Sequence, residues 1–203
     1  DLVIYSPDLS GHQETAQVLA EAGIPLYAAK VETLQDYLDV LADFCQLNGN
    51  EEAYRTYGEA VATRVQATID AVPKDAAPTV LFLRAYSSGA KAKASDHPLC
   101  YILDDLQTVN VAAQNTSLLE DVNPELILAA DPEYIFIVFM GGDNAEAQAA
   151  LDSSLTSNPA WSSLTAVRNG HVYYLPTDLF HYKANQRYDQ AYAYIFDILY
   201  PQG

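Results

Sequence analysis

The sequence predicts an α/β protein in which two strand-and-helix segments are separated by one long helix. Residues 1–48 alternate short apolar runs with helical patterns, and residues 74–203 do so again over a longer stretch. Between them, residues 49–73 carry apolar side chains at three- and four-residue spacing and end at a proline. Alternating strands and helices are typical of α/β domains. We therefore expect a partial amino-terminal lobe at 1–48, a connecting helix at 49–73 and a complete carboxyl-terminal α/β lobe at 74–203.

The amino-terminal segment contains two predicted strands, each followed by a predicted helix. Residues 1–5 (DLVIY) form an apolar run rich in β-branched side chains, which is typical of a buried strand. Helical spacing runs from His12 to Ala22, and residues 24–27 then resume a short strand. Thr33 is placed to cap a second helix, which we expect to close near Gly49.

The connecting segment has the longest uninterrupted helical pattern in the chain. A helix over residues 50–72 would be about 35 Å long, enough to cross a whole domain. One apolar stripe runs along it, formed by Tyr54, Tyr57, Val61, Val65, Ile69 and Val72.

The carboxyl-terminal segment begins after the breaker stretch PKDAAP and continues the alternation of strands and helices. Its elements are predicted in this order: a buried strand at 79–83, a polar loop at 84–98, a helix through 99–106, a helix starting at Asn123-Pro124-Glu125, a buried strand at 134–140, a loop at Gly141-Gly142, a tight turn at Asn169-Gly170 between two strand-like runs, and a final helix at 188–200.

Charge narrows the set of partners. Ten Lys and Arg against 27 Asp and Glu give a formal net charge of −17, which argues against nucleic acid or an anionic membrane as the main partner. No apolar run reaches the ~20 residues of a membrane helix. Cys45 and Cys100 each lie in an apolar helical pattern, so we expect buried thiols and not a disulfide.

The few basic residues are concentrated after predicted strands. Ligands of open α/β sheets bind beyond the carboxyl ends of the strands, so cations kept there in such an acidic chain indicate an anionic ligand. The alternative is that these loops are solvated and carry basic residues for solubility. Half of the ten cations lie in two such loops: Arg84, Lys91, Lys93, Lys183 and Arg187.

Aromatic and histidine side chains accompany these cations. Tyr and His can ligate ferric or haem iron, and Arg suits carboxylate or catecholate oxygens. Tyr86 and His97 lie in the first loop, and Phe180, His181 and Tyr182 lie in the second.

Sequence motifs of common enzymes are absent. The chain contains no G-x-G-x-x-G, no Walker loop and no G-x-S-x-G elbow, and no histidine pair has the zinc spacing of four residues. His12 and His171 are interpreted as a helix-start residue and a turn residue. Nothing in the sequence indicates catalysis.

Four segments carry a resemblance to a known family. They are residues 1–27, 33–57, 118–138 (LLEDVNPELILAADPEYIFIV) and 158–176 (NPAWSSLTAVRNGHVYYLP). Together they resemble the substrate-binding proteins of bacterial ABC importers for iron–siderophore complexes, haem and cobalamin. The last segment, with the residues that follow it, is the most specific and resembles the iron-complex branch.

The resemblance implies a fold of two Rossmann-like lobes joined by a single long helix, the first lobe being incomplete here. In the family a full amino-terminal half-lobe precedes the DLVI segment. Half of the ligand cleft and one of two acidic docking residues would lie in it. Either this chain is a fragment or the natural protein is shortened.

The resemblance also implies roles for individual residues. Glu125 matches the glutamate that pairs with an arginine of the membrane permease, although a first-turn glutamate is also favoured by the helix dipole. Trp161 is interpreted as core packing. The ligand-binding positions are Arg84, Tyr86 and His97 in one loop, and His181, Tyr182 and Arg187 in the other.

The expected function is therefore that of a binding protein without chemistry or cofactor of its own. It would capture an anionic iron complex, a ferric siderophore first of all, and deliver it to a permease with its ATPase subunits. We expect a monomer that binds no nucleic acid and is displayed outside the cytoplasm, in the periplasm or as a lipoprotein. The alternatives are a haem or cobalamin binder, a direct metal-ion binder, a doubly wound α/β enzyme and an inert scaffold.

Overall fold

The computed structural model describes residues 2–120, 122–140 and 144–201. The chain divides into two compact units, residues 1–60 and 61–203. Both units combine helices with parallel strands, so the predicted α/β class is confirmed.

In the first unit, the two strands of a parallel sheet alternate with helices. Val3 of the first strand pairs with Leu26 of the second. Between residues 2 and 54 the elements are β1 (Val3–Tyr5), α1 (His12–Glu21), β2 (Leu26–Ala28), α2 (Leu34–Asn48) and α3 (Glu51–Tyr54).

Helix α2 has the start and the end that its sequence predicts. The Thr33 side chain accepts a hydrogen bond from the Asp36 amide, and the Asp36 carboxylate accepts one from the Thr33 amide. These two bonds form a capping box. At the other end, Gly49 has φ 64°, a left-handed conformation that glycine adopts without strain.

The helix that follows is not the regular α-helix that the sequence predicts. Residues 55–59 form a π-helical turn between α3 and α4 (Ala60–Asp70). A π turn contains an extra residue, which rotates the apolar stripe. Tyr57, predicted to lie in that stripe, is accordingly exposed.

Packing against α2 accounts for the position of the π turn. The Tyr37 hydroxyl donates a hydrogen bond to the Tyr57 carbonyl over 2.8 Å. Next to it, a Cβ added to Gly58 would lie 3.3 Å from Leu41. Both contacts come from a neighbouring helix, so periodicity along residues 50–72 does not encode them.

The second unit is built on a five-stranded mixed sheet. Strand β3 is central: β6 and then β7 lie parallel on one side of it, while β5 (parallel) and β4 (antiparallel) share its other side. The strands are β3 (Thr79–Tyr86), β4 (Gly89–Ala92), β5 (Val109–Asn110), β6 (Tyr134–Phe139) and β7 (Val172–Tyr174).

Helices cover this sheet, and several of them start where the sequence predicts. The α-helices are α5 (Pro98–Asp105), α6 (Val111–Gln114), α7 (Ser117–Glu120), α8 (Pro124–Ala130), α9 (Asn144–Leu151), α10 (Thr165–Arg168), α11 (Thr177–Phe180) and α12 (Tyr188–Leu199). Irregular turns occupy Asp152–Thr156 (π) and Pro159–Ser163 and Asn185–Arg187 (both 3-10).

Successive side chains of β3 point to opposite faces of the sheet. Leu81 and Leu83 are fully buried in one hydrophobic cluster that also contains Trp161, so the prediction of core packing for Trp161 is confirmed. Phe82 points to the opposite face, where its ring contacts His97. Arg84 follows Phe82 on that face at the carboxyl end of the strand.

Two local predictions in this unit are wrong. Residues 84–92, predicted to lie in a polar loop, mostly form the β3–β4 hairpin, in which Ser87 and Ser88 are the turn. Asn169-Gly170 does not join two strands, because it ends α10 ahead of β7.

Two further predictions have different outcomes. Cys45 and Cys100 are free and buried, as predicted. The predicted loop at Gly141-Gly142 lies outside the described residues.

Candidate functional site

The candidate site lies at the carboxyl end of the central strand of the second unit. Arg84 is held there on both sides, opposite Lys91 of β4 and Val138 of β6. The chain continues from β6 to Met140 at the same edge. This is the edge at which open α/β sheets bind ligands.

The guanidinium of Arg84 contacts a sulfur atom and an aromatic ring. Its Nε and Nη2 donate to the Met140 sulfur over 3.1 and 3.0 Å. Its Cζ lies 5.6 Å from the centre of the Tyr86 ring, within the range of a cation–π contact. Within residues 2–120, 122–140 and 144–201, Arg84 forms no ion pair with a carboxylate. Its positive charge therefore remains available to a ligand.

His181 lies near this guanidinium. Burial, and after it the charge of Arg84, lowers the pKa of His181 below its ordinary value. Its buried Nδ1 has no hydrogen-bond partner in the described part of the chain. The neighbouring Tyr182 ring lies 4.6 Å from the imidazole and is 65% exposed. Arg84, Tyr86, His181 and Tyr182 thus combine a cation with aromatic surface and an unused imidazole nitrogen.

His97 occupies a structural position beneath this group. It is 5% exposed, and its Nδ1 accepts a hydrogen bond from the Leu99 amide at the start of α5. Burial, followed by the charge of Arg84, lowers the pKa of His97 to about 3. The imidazole is therefore neutral and acts as a helix cap.

Arg187 already has an anionic partner. Its Nη1 donates to an Asp178 carboxylate oxygen over 2.8 Å, and its Nη2 donates to the Asp178 carbonyl over 2.7 Å. The hydrogen bond from Arg187 lowers the pKa of Asp178. Lys93 is similarly paired with Asp96. Arg84 is not paired in this way, since it has no carboxylate partner among the described residues.

Sequence reasoning missed two features of this edge. Met140 was assigned only to the end of a buried strand, although it follows β6 as the candidate residues follow β3. Tyr174, at the end of β7, is 44% exposed and stacks on Phe139 at 5.4 Å. Both positions could have been found by asking which side chains end each parallel strand.

Glu125 lies in the first turn of α8, the helix that precedes β6. The Asn123 side chain caps that helix by accepting from the Leu126 amide over 2.9 Å. Glu125 is exposed, so its carboxylate is accessible to a partner.

Two further features of the described residues bear on function. Among the described residues, no cluster of three or more His, Cys, Asp or Glu side chains is arranged to hold a metal ion. Across the same ranges, none of the helices combines the length and apolar composition that crossing a membrane requires.

Comparison with solved structures shows a shared fold. An ABC transporter substrate-binding protein from Listeria monocytogenes aligns with a TM-score of 0.76 and 18% identity, over 100% of this chain and 77% of its own. A periplasmic heme binding protein from Pseudomonas aeruginosa aligns with a TM-score of 0.75 and 21% identity, over 100% and 73%. An Fe3+-hydroxamate transport protein from Saccharomonospora viridis aligns with a TM-score of 0.70 and 20% identity, over 98% and 68%.

Sequence comparison then identifies the family. No curated protein matches the chain significantly. The sequence profile of one family, described as periplasmic binding protein, matches residues 1–179. The chain therefore belongs to the periplasmic binding protein family, whose members are substrate-binding transport proteins and not enzymes.

Proposed function

We propose that the chain is the solute-binding component of an ABC importer and that it captures an anionic iron complex, a ferric siderophore. The observation that carries the proposal is the guanidinium of Arg84, which lies at the ligand-binding edge of the sheet with no carboxylate partner in the described residues. In a chain of net charge −17, an unneutralised cation at this position favours an anionic ligand.

Ferric complexes fit the chemistry of this edge. Carboxylate and catecholate oxygens are good acceptors for a guanidinium. Tyr86 and Tyr182 would contact the organic part of the ligand, Tyr182 being the more exposed. Arg187 would contribute a second cation by exchanging Asp178 for the ligand. His97 would support Arg84 from below without touching the ligand, because it is buried.

Haem is the second candidate, favoured by a specific observation. The Nδ1 of His181, which has no hydrogen-bond partner in the described part of the chain, is suited to binding the iron of haem. The haem propionates would meet Arg84. The similar structure from Pseudomonas aeruginosa is a heme binding protein, and that from Saccharomonospora viridis belongs to an Fe3+-hydroxamate transport system. Cobalamin is the third ligand to be compared.

The remaining parts of the proposal concern organisation and partners. Residues 1–48 would form a partial lobe, 49–73 the connecting helix and 74–203 the second lobe. Glu125 would dock to the permease, which works with its ATPase subunits. The family is extracytoplasmic, and we propose a monomer held at the cell surface by a lipid anchor or free in the periplasm.

The test is a binding titration of the chain with a ferric tricatecholate, a ferric trihydroxamate, haemin and cobalamin. Binding is followed by quenching of Trp161 and tyrosine emission and by calorimetry. We expect saturable binding of one iron complex, weakened about tenfold to a hundredfold by Arg84→Gln, because a charge-assisted hydrogen bond is lost.

Arg168→Gln is the matched control. Arg168 is an arginine of the same unit, but it lies in α10, which precedes the amino end of β7. It should leave the affinity unchanged. Equal affinity in the Arg84→Gln and wild-type proteins, or no binding of any of the four compounds, would contradict the proposal.

A further inference from the structure

We infer that Met140 sets the affinity of the site for anions, because its sulfur occupies the donors of Arg84 that a ligand oxygen replaces on binding. The inference rests on the proposed function in one respect, the role of Arg84 in holding the ligand. It assigns to Met140 a positioning role that a residue at the end of a buried strand would not otherwise have.

The geometry places the sulfur on one edge of the guanidinium. Nε and Nη2 point along the same edge, and both donate to the Met140 sulfur at 3.1 and 3.0 Å. This is the edge through which arginine binds a carboxylate with two parallel hydrogen bonds. An oxyanion that binds Arg84 in this way must therefore take the place of the sulfur.

The chemistry of the sulfur makes that exchange favourable. A thioether is a weak acceptor, whereas a charged oxygen forms short, strong bonds to a guanidinium. Met140 therefore orients Arg84 in the free protein without neutralising it. Carboxylates are abundant in this chain, with 27 Asp and Glu, yet the acceptor at this edge is uncharged.

The backbone of Met140 is tied to the sheet, and its side chain has room to move away from Arg84. The Met140 amide donates to the Ala85 carbonyl over 2.8 Å, which ties its backbone to β3 beside Arg84. Its side chain is only partly buried, and methionine changes rotamer readily. Displacement of the sulfur therefore requires a side-chain movement and leaves the sheet intact.

A series of substitutions of similar length tests this role. Met140→Leu removes the acceptor, Met140→Gln supplies a stronger neutral one, and Met140→Glu supplies a charged one. Affinity for the iron complex that binds should be highest with Leu at position 140 and should fall in the order Leu, Met, Gln, Glu. Affinity for citrate, a simple oxyanion, should fall in the same order. We expect about a threefold gain for Leu and at least about a tenfold loss for Glu. If Met140 only packed against the sheet, all three variants would weaken binding. The loss of affinity would then follow the loss of folding stability in each variant.

A second measurement detects the displacement itself. Met140 is the only methionine in the sequence, so a carbon-13 methyl label gives one protein resonance, assigned by its loss in Met140→Leu. We expect citrate to shift this resonance in the wild-type chain and to leave it unchanged in Arg84→Gln. An unshifted resonance in the wild type, or a shift that survives Arg84→Gln, would overturn the inference.

The two proposals can fail separately. If none of the four compounds binds but citrate shifts the methyl resonance through Arg84, the iron-complex proposal fails and the role of Met140 stands. If an iron complex binds through Arg84 while the variants show no such order of affinities, the role of Met140 fails and the proposed function stands.

Discussion

His97 gives the second unit a pH-dependent stability that one substitution should remove. Burial, followed by the charge of Arg84, lowers the pKa of His97 from its ordinary value of 6.5 to about 3. Below pH 6.5 the unfolded chain therefore binds a proton that the folded chain does not. Stability from this group is complete above pH 6.5 and is lost as the pH falls toward 3. With these two pKa values the loss between about pH 7.5 and about pH 5 is about 2 kcal/mol.

His97→Asn is the informative variant because it keeps the cap. The Nδ1 of His97 accepts from the Leu99 amide over 3.1 Å, and asparagine is a strong N-cap residue that does not titrate. Urea unfolding followed by Trp161 emission reports on the second unit, where the single tryptophan lies. The difference in unfolding free energy between wild type and variant should shrink by about 2 kcal/mol from about pH 7.5 to about pH 5.

The dependence of the unfolding free energy on pH, compared between wild type and His97→Asn, separates the titration of His97 from other losses of stability. The variant leaves a small cavity beside Phe82, whose ring lies 4.8 Å from that of His97, and so lowers stability at every pH. Parallel pH profiles for wild type and His97→Asn would refute the reasoning.

Two further substitutions test a side-chain hydrogen bond and a backbone conformation in the second unit. Tyr192→Phe removes a hydrogen bond from a buried hydroxyl to Asp105. It should lower the free energy of unfolding by about 1 kcal/mol, measured by urea unfolding, and equal stability would contradict that bond. Gly170→Ala should cost about 1 kcal/mol, because φ is 73° at a position with open space around the missing Cβ. The same assay should show that Gly170→Asn costs less, and a larger cost for Asn would point to a clash.

Elements with strong local signals were predictable. The start of α2 depends on Thr33 and Asp36, which contact each other across one turn. The start of α8 depends on Asn123 and the proline after it. In both cases the chemistry that fixes the boundary lies within four residues, so the sequence displays it directly.

Features created by contacts distant in sequence were not predictable. The π turn at residues 55–59 depends on Tyr37, twenty positions away. The contact between Arg84 and Met140 joins residues 56 positions apart. Both require knowledge of which elements are neighbours, and periodicity carries no information on that. Which of the cations already had carboxylate partners also required the structure.

The β3–β4 hairpin was missed for a related reason. Its turn, Ser87-Ser88, lacks the Asn-Gly or Asp-Gly pair that announces a two-residue turn, and residues 84–98 are polar enough to resemble a loop. The alternation of Leu83, Arg84, Ala85 and Tyr86 was the available signal for a longer strand.

That hairpin holds Arg84 in the sheet and leaves its turn, Ser87-Ser88, outside the strand pairing. Because Arg84 is paired with strands on both sides, its backbone position does not depend on the length or composition of the Ser87-Ser88 turn, whose two residues are exposed. Proteins that evolve from this chain could change the length or the composition of this turn and still keep Arg84 in the same position. Ligand range would then diversify at the turn, and mutational libraries aimed at new ligands would best begin there.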